Sequence, residues 1–188
     1  HRAVDQFSRL CETFVNRIRQ NSYSPNQFTD LISRHNIAFP HESDFLKIIS
    51  KIFRDYIARI EETGEDDFSG LLTRAIEKIN SGIHHFQKKK YVGNLKTLKY
   101  VLIDEFQDFT ELFYKCVKEI KSLNRNAKFF CVGDDWQAIN GFAGSDLKYF
   151  LSYSQYFDNS KSLQIQTNYR STTKIVDSGN QLMQGKGV

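Results

Sequence analysis

Asp104 and Glu105 follow directly on Tyr100-Val101-Leu102-Ile103, an apolar run of β-forming residues, and Gln107 and Asp108 come just after them. A buried strand that ends in adjacent carboxylates is costly unless a cation is held there. In open α/β sheets, ligands bind at the carboxyl ends of the strands. Asp104 set toward a Mg²⁺ ion and Glu105 toward a water is one reading of the stretch; a solvated acidic turn after an ordinary strand is the other. Two further stretches bear on the choice. Lys128-Phe129-Phe130-Cys131-Val132 runs into Gly133-Asp134-Asp135-Trp136-Gln137, and an alternating segment read as a strand, 162–166, leads to Asn168-Tyr169-Arg170-Ser171. Parallel strands bring all three ends to one edge. Together they supply a metal-binding carboxylate, a candidate base, a neutral amide and a guanidinium. That is the inventory for phosphoryl transfer to water: a metal neutralises phosphate oxygens, a base or amide orients the water, and an arginine stabilises charge on the transferred group. Arg170 suits the last role because its planar fork matches phosphate oxygens and stays charged. Singly, Arg170 reads as a surface ion-pair residue and Gln137 as a loop residue. The conjunction of three strand ends favours the site.

The elements that must position these residues are written in the apolar spacing. Val4, Phe7, Leu10, Cys11, Phe14, Val15 and Ile18 recur at three- and four-residue steps, an amphipathic helix. Ser24-Pro25-Asn26-Gln27 reads as a helix start, with Ser24 as cap, Pro25 at the first position and Gln27 completing a capping box. That helix ends before Pro40. From Ser43 the set Phe45, Leu46, Ile49, Ile52, Phe53, Tyr56, Ile57 and Ile60 predicts a long helix stopping near Gly64. Asp66 or Asp67 caps the next, whose apolar face runs from Phe68 to Ile79 and which ends at Gly82. Residues 83–99 change character. Lys88-Lys89-Lys90-Tyr91, followed by Lys96 and Lys99, reads either as a contact for phosphate backbone or as a solvated connection.

After residue 100 the period switches. Strand 100–104 precedes a helix with Leu112, Phe113, Cys116, Val117, Ile120 and Leu123 inward. Strand 128–132 precedes a helix opened by Ser145 or Asp146, and strand 162–166 a last helix capped by Ser171. Alternating strands and helices predict an α/β fold with a parallel sheet and right-handed crossovers. The expected organisation is a helical subdomain over residues 1–95 and part of a parallel-sheet domain over 96–188.

The 188 residues are 40% hydrophobic and 26% charged, a globular composition, with no apolar run of membrane-spanning length and no signal-peptide pattern. Cys11, Cys116 and Cys131 lack paired spacing, which points to a reducing, cytoplasmic setting rather than a disulfide framework. A net charge of +4 permits a polyanionic partner without demanding one. The chain opens on His1-Arg2-Ala3, already inside a helical pattern, and is read as a piece of a longer protein.

A family resemblance joins these stretches. Val101-Leu102-Ile103-Asp104-Glu105-Phe106-Gln107-Asp108 resembles motif II of superfamily 1 DNA helicases of the UvrD/Rep type, whose pattern is Asp-Glu-x-Gln-Asp. The segment from Val132 to Asp146 resembles their motif III, with its Asp-Asp-Trp-Gln-Ala-Ile variant most like the helicase IV branch, and Asn168-Tyr169-Arg170-Ser171 resembles motif IV. Glu65 to Leu72 is similar to a segment of the helical insertion that precedes motif II. The resemblance implies a fragment of an ATP-dependent DNA helicase, translocating 3′ to 5′ on single-stranded or partial duplex DNA: a helical insertion (1B-like) over 1–95 and the second half of a RecA-like domain over 96–188. It implies ATP and Mg²⁺ as the bound pair. Asp104 would hold the metal, Glu105 would act as base beside it, and Gln137 and Arg170 would contact the γ-phosphate. Gln107 and Asp108 would tie motif II to its neighbours, and Phe142, with Asn140, would lie against the DNA. Two departures stand out: Asn140 replaces the usual tyrosine, and Ala143 an arginine that would add a cation near the DNA path. No Gly-x-x-x-x-Gly-Lys-Ser/Thr phosphate cradle occurs in the chain, so this piece alone is expected to be idle as an ATPase. The alternatives are a non-catalytic DNA- or protein-binding module derived from a helicase, or part of a helicase–nuclease fusion.

Overall fold

The computed structural model describes residues 2–139, 141 and 144–185. Its first compact unit is His1–Phe150 and its second is Leu151–Val188.

Four helices open the first unit: α1 (Arg2–Gln20), α2 (Pro25–Ser33), α3 (Pro40–Thr63) and α4 (Phe68–Asn80). The first three close on a core of Cys11, Val15, Ile18, Phe28, Leu46, Ile49 and Phe53. Phe28 meets Phe53 edge-on at 6.0 Å and Phe14 meets Phe45 at 5.2 Å, the geometry aromatic pairs favour. The capping box at Ser24 and Gln27 is formed. The long helix begins at Pro40 rather than Ser43. Pro40 occupies its first turn with φ already preset, and the Glu42 carboxylate accepts from the Ala38 N–H at 2.8 Å. It stops at Gly64, which takes the left-handed φ of 66° that ends helices.

Asp67, not Asp66, caps α4 by accepting from Gly70 N–H. Its carboxylate also takes a two-pronged contact from Arg19 of α1 and a hydrogen bond from Tyr56 Oη of α3 at 2.9 Å. One side chain thus joins three helices. Burial raises its pKa, but the Arg19, Gly70 and Tyr56 donors outweigh that and hold it below the ordinary carboxylate value.

An antiparallel hairpin follows, β1 (His85–Lys88) and β2 (Tyr91–Asn94), where the sequence predicts only a connection. Gly93 lies opposite Phe86, whose ring covers it so closely that no Cβ fits there. The parallel pair β3 (Tyr100–Ile103) and β4 (Lys128–Cys131) is joined by helix α5 (Glu111–Leu123), the strand–helix–strand crossover the pattern predicts. Thr110 caps α5, and α4 packs along it with Phe68 against Phe113. Phe106, Phe109, Leu112, Val117 and Tyr149 are also buried, with the Phe109 ring packed on those of Phe106 and Tyr149. The chain is therefore mixed α/β with a parallel pair, as expected.

Three expectations are corrected. The helix opened near Ser145 is two short turns, α6 (Lys148–Leu151) and α7 (Tyr153–Tyr156), broken at Ser152, whose φ of −111° and ψ of 35° are not helical. No strand is assigned at 162–166: Leu163 is 90% exposed and Ile165 85%, and an alternating segment becomes a strand only when a neighbour takes up its backbone groups. The last helix, α8 (Thr173–Met183), has Thr172 rather than Ser171 at its cap position, without a side-chain bond.

Among the described residues, no helix is long and apolar enough to cross a membrane.

Candidate active site at the ends of the parallel strands

Parallel register pairs Ile103 with Cys131, so β3 and β4 end level. The ladder runs on past both strands: Val132 N–H donates to Ile103 O at 2.9 Å, and Phe106 N–H returns to Val132 O at 2.8 Å. The two loops that carry the acidic residues are thereby stitched together by backbone. Between those bonds lies Glu105, with φ 50° and ψ 44°. A non-glycine residue in the left-handed region costs roughly 1–2 kcal/mol, and such strain gathers at functional positions. The kink drives Phe106 and Phe109 into the core, with rings 4.6 Å apart, and leaves Asp104 and Glu105 in solvent.

Gln107 is buried to 3% exposure between the loops. Its Nε2 donates to Glu105 Oε2 at 2.6 Å, and its Oε1 accepts from Asp134 N–H at 3.1 Å. The amide satisfies both of its ends by linking the end of one strand to the end of the other. Gly133 makes this possible: a Cβ there would lie 2.7 Å from Gln107 Oε1 and 3.0 Å from Gln107 N. In the second loop the Asp134 carboxylate accepts from Trp136 N–H at 3.1 Å and from Gln137 Nε2 at 2.7 Å. Gln137 is exposed, and its amide is held by this bond. Residue type alone did not assign Asp134 a role; the signal was an Asp two residues before a free backbone donor and three before an amide. Further on, Asp146 N–H bonds Phe109 O at 2.9 Å, returning the chain to the first loop. Burial raises the Asp146 pKa, but Lys148 at 2.9 Å more than offsets this and lowers it.

The loops after β3 and β4 thus bring together Asp104, Glu105, Gln107, Asp134 and Gln137. Asn140 and Phe142, the expected DNA contacts, lie outside the described residues, as does Ala143. Arg170 belongs to the second unit. There Asn168 Oδ1 accepts from both Arg170 N–H at 2.8 Å and Ser171 N–H at 2.9 Å, an Asx turn that fixes the backbone from which the guanidinium projects.

The donors at the strand end suit a hard cation. Asp104 Oδ1 accepts from Glu105 N–H at 2.9 Å and Glu105 Oε2 from Gln107, which leaves Asp104 Oδ2 and Glu105 Oε1 without a hydrogen bond among the described residues. Neither carboxylate is in an ion pair with a described residue. Among the described residues no three His, Cys, Asp or Glu side chains form a cage. One or two carboxylates, with water and phosphate completing the shell, is how Mg²⁺ is bound beside nucleotides.

The profile of the UvrD/REP helicase N-terminal domain matches residues 3–158. The chain belongs to the UvrD/Rep helicase family. Within that family it is 24% identical to DNA helicase IV of Escherichia coli over 161 residues, covering 86% of this chain and 21% of that protein. It is 27% identical to the putative ATP-dependent DNA helicase YjcD of Bacillus subtilis over 162 residues, 85% of this chain and 19% of the relative. Against DNA helicase II of Haemophilus influenzae it is 28% identical over 172 residues, 90% of this chain and 21% of the relative. This UvrD/Rep chain spans about a fifth of the length of these relatives. The profile match holds both acidic loops and ends before Arg170.

Proposed function

We propose that the chain is part of the motor of an ATP-dependent DNA helicase and carries the water-activating half of its ATPase site. The stretches 101–108, 132–146 and 168–171 would be motifs II, III and IV of that motor. Residues 1–95 would be its helical insertion, and 96–188 the second half of a RecA-like domain. The observation that carries the reading is Gln107: a buried amide that holds Glu105 in a strained, exposed position while fastening the loop that bears Gln137.

Asp104, helped by Glu105, would hold a Mg²⁺ ion. When bound, that ion supplies positive charge to phosphate oxygens and to the leaving group. Glu105 accepts a proton from the attacking water, with Gln107 keeping its carboxylate turned to the task. Gln137, on the loop that Gln107 ties to Glu105, would offer an amide to the terminal phosphate. Its tether to Asp134 couples that contact to the segment 138–146, where Phe142 and Asn140 would meet single-stranded DNA. Arg170 contributes a guanidinium to the charge that develops on the transferred phosphoryl group. Movement of DNA, 3′ to 5′, would follow from that coupling, in a cytoplasmic protein. The relatives named as ATP-dependent DNA helicases support this reading, as does the set of residue types at the strand ends.

The 188-residue chain alone is expected to bind an oligonucleotide but not to turn over ATP, since it offers no glycine-rich phosphate cradle. The longer protein that contains it is expected to hydrolyse ATP with stimulation by single-stranded DNA. Hydrolysis by the purified chain, abolished by Glu105→Gln, would overturn the division of labour. A longer protein that binds DNA but never hydrolyses ATP would favour the non-catalytic module.

A further inference from the structure

From Lys78 to Ile103 the sequence holds six lysines and no carboxylate, so this stretch carries +6 in a chain whose net charge is +4, and the rest of the chain sums to −2. Five of them, Lys88, Lys89, Lys90, Lys96 and Lys99, lie in the hairpin and in the segment that leads from it into β3. The β1–β2 hairpin pairs Lys88 with Tyr91, which leaves Lys89 and Lys90 as a two-residue tip. Lys89 takes a left-handed φ of 55°. Glycine or asparagine fills such a turn position with little strain, so turn geometry does not explain a lysine there. Lys90 Nζ lies 5.7 Å from the centroid of the Tyr91 ring, and Tyr91 is 68% exposed. Cation and aromatic face are both presented to solvent.

The base of the hairpin leads into a cavity of about 350 Å³ at the amino ends of β3 and β4, lined by Lys96, Lys99, Lys128 and Asn126 among others. Its wall is built. Buried Asn124 donates to Leu95 O at 3.1 Å and Leu98 O at 2.7 Å, and accepts from Asn126 N–H at 3.3 Å. Lys128 N–H bonds Lys99 O at 2.9 Å, which fixes two of the lysines side by side. No ion pair with a described residue engages Lys88, Lys89, Lys90, Lys96, Lys99 or Lys128. Each four-residue strand is roughly 13 Å long, so this cavity opens on the edge of the sheet opposite Asp104 and Glu105.

We propose that the hairpin tip and the lysine-lined cavity form a second nucleic-acid site, binding the phosphodiester backbone at the sheet edge opposite the ATPase residues. The inference rests on the reading of the chain as part of a DNA motor. The cavity receives successive backbone phosphates, one against each of Lys96, Lys99 and Lys128. The hairpin lies along the strand, with its three lysines near successive phosphates and Tyr91 free to stack on a base. Binding there is electrostatic and indifferent to sequence.

The test is lysine acetylation footprinting of the unsubstituted chain, with and without a labelled oligothymidine, read by mass spectrometry. Lys88, Lys89, Lys90, Lys96, Lys99 and Lys128 are expected to be protected, and Lys47 and Lys51, equally exposed on α3, are not. Salt titrations of binding to the same oligonucleotide give a second reading. Replacing Lys96, Lys99 and Lys128 together by Gln is expected to reduce the slope of log K against log salt by about 2, at about 0.7 for each phosphate of a single strand that is no longer neutralised. The Lys88, Lys89 and Lys90 triple Gln variant does the same, and Arg at these positions restores the slope. Unprotected lysines, an unchanged slope, or equal competition by polyglutamate at matched charge would each overturn the proposal. So would self-association of the hairpin Gln variant with unchanged DNA affinity, which would make its lysines guards of an exposed strand edge. Weakening by Phe142→Ala with the lysines unprotected removes this second site and leaves the proposed function standing. Intact protection, with ATP hydrolysis in the longer protein indifferent to Glu105→Gln, removes the catalytic reading and leaves the second site.

Discussion

The side-chain amide of Gln107 donates to Glu105 Oε2 at 2.6 Å. The same amide accepts from Asp134 N–H, so one buried group sets the direction of the proposed base and the position of the neighbouring loop. Gln107→Leu keeps the volume and removes both bonds. It leaves the Asp134 N–H without its partner, at about 1–3 kcal/mol of stability. In the longer protein, kcat for ATP is expected to fall by about 10²-fold, with KM little changed, because the base is misaimed rather than lost. Steady-state kinetics with a parallel thermal melt separate the two effects. An equal rise in KM would give Gln107 a role in nucleotide binding instead.

Gly133 tests the same junction from the other side. A methyl group at this position would press on Gln107 Oε1 and N and on the Phe150 ring, all at 3.0 Å or less. Gly133→Ala is expected to destabilise the chain by roughly 1–3 kcal/mol, the usual range for overpacking. The Gln107→Leu, Gly133→Ala double variant should lose less than the sum of the two, since Leu has no oxygen to be pressed. A double-variant cycle by denaturant melts measures this.

Asp67 governs the pH response of the helical layer. Its folded pKa is depressed, so the stability it adds is complete above its unfolded value of about 3.9 and is lost as pH falls through the folded value. Thermal melts of the unsubstituted chain should therefore drop on acidification below about pH 4. Asp67→Asn is expected to be less stable at neutral pH by about 2 kcal/mol, through loss of the Arg19 pair and a weakened cap. Its melting temperature should change less over the same acid range. Parallel curves for the two proteins would remove Asp67 as the source.

Much of this layer is legible in the sequence, because each feature is local. Gly64 stops a helix through its own φ, Ser24 and Gln27 cap through their own side chains, and Asp67 follows a turn and precedes an apolar face. The strand ends are legible for the same reason: an apolar run reaches its carboxylates within four residues. What is hidden depends on partners. The hairpin at 85–94 has no alternation to announce it and a Lys-Lys tip in place of the usual turn residues. The segment 162–166 shows the reverse: Leu163 and Ile165 alternate well but are exposed, for want of a neighbour to pair with. The left-handed Glu105 gives no sign in its residue type, since Glu has no preference for that region.

Arg170 is carried by an Asx turn whose acceptor is Asn168 Oδ1. In the longer protein Arg170→Ala is expected to reduce ATP hydrolysis by at least about 10²-fold, and Arg170→Lys to recover little, because an ammonium cannot reproduce the fork. Asn168→Ala should give a smaller loss with the guanidinium still present. ATPase assays on the three variants decide this, and full activity of Arg170→Lys would reduce Arg170 to a simple positive charge.

Glu105 is the residue on which the proposed function turns, and its replacement by glutamine in the longer protein is the most direct measurement. Glu105→Gln preserves shape and removes the base. DNA-stimulated ATP hydrolysis is expected to fall by roughly 10²–10⁴-fold, the usual contribution of a positioned general base, while nucleotide affinity stays within a few-fold. Hydrolysis at the unsubstituted rate would contradict the assignment of this strand end as the water-activating half of the motor.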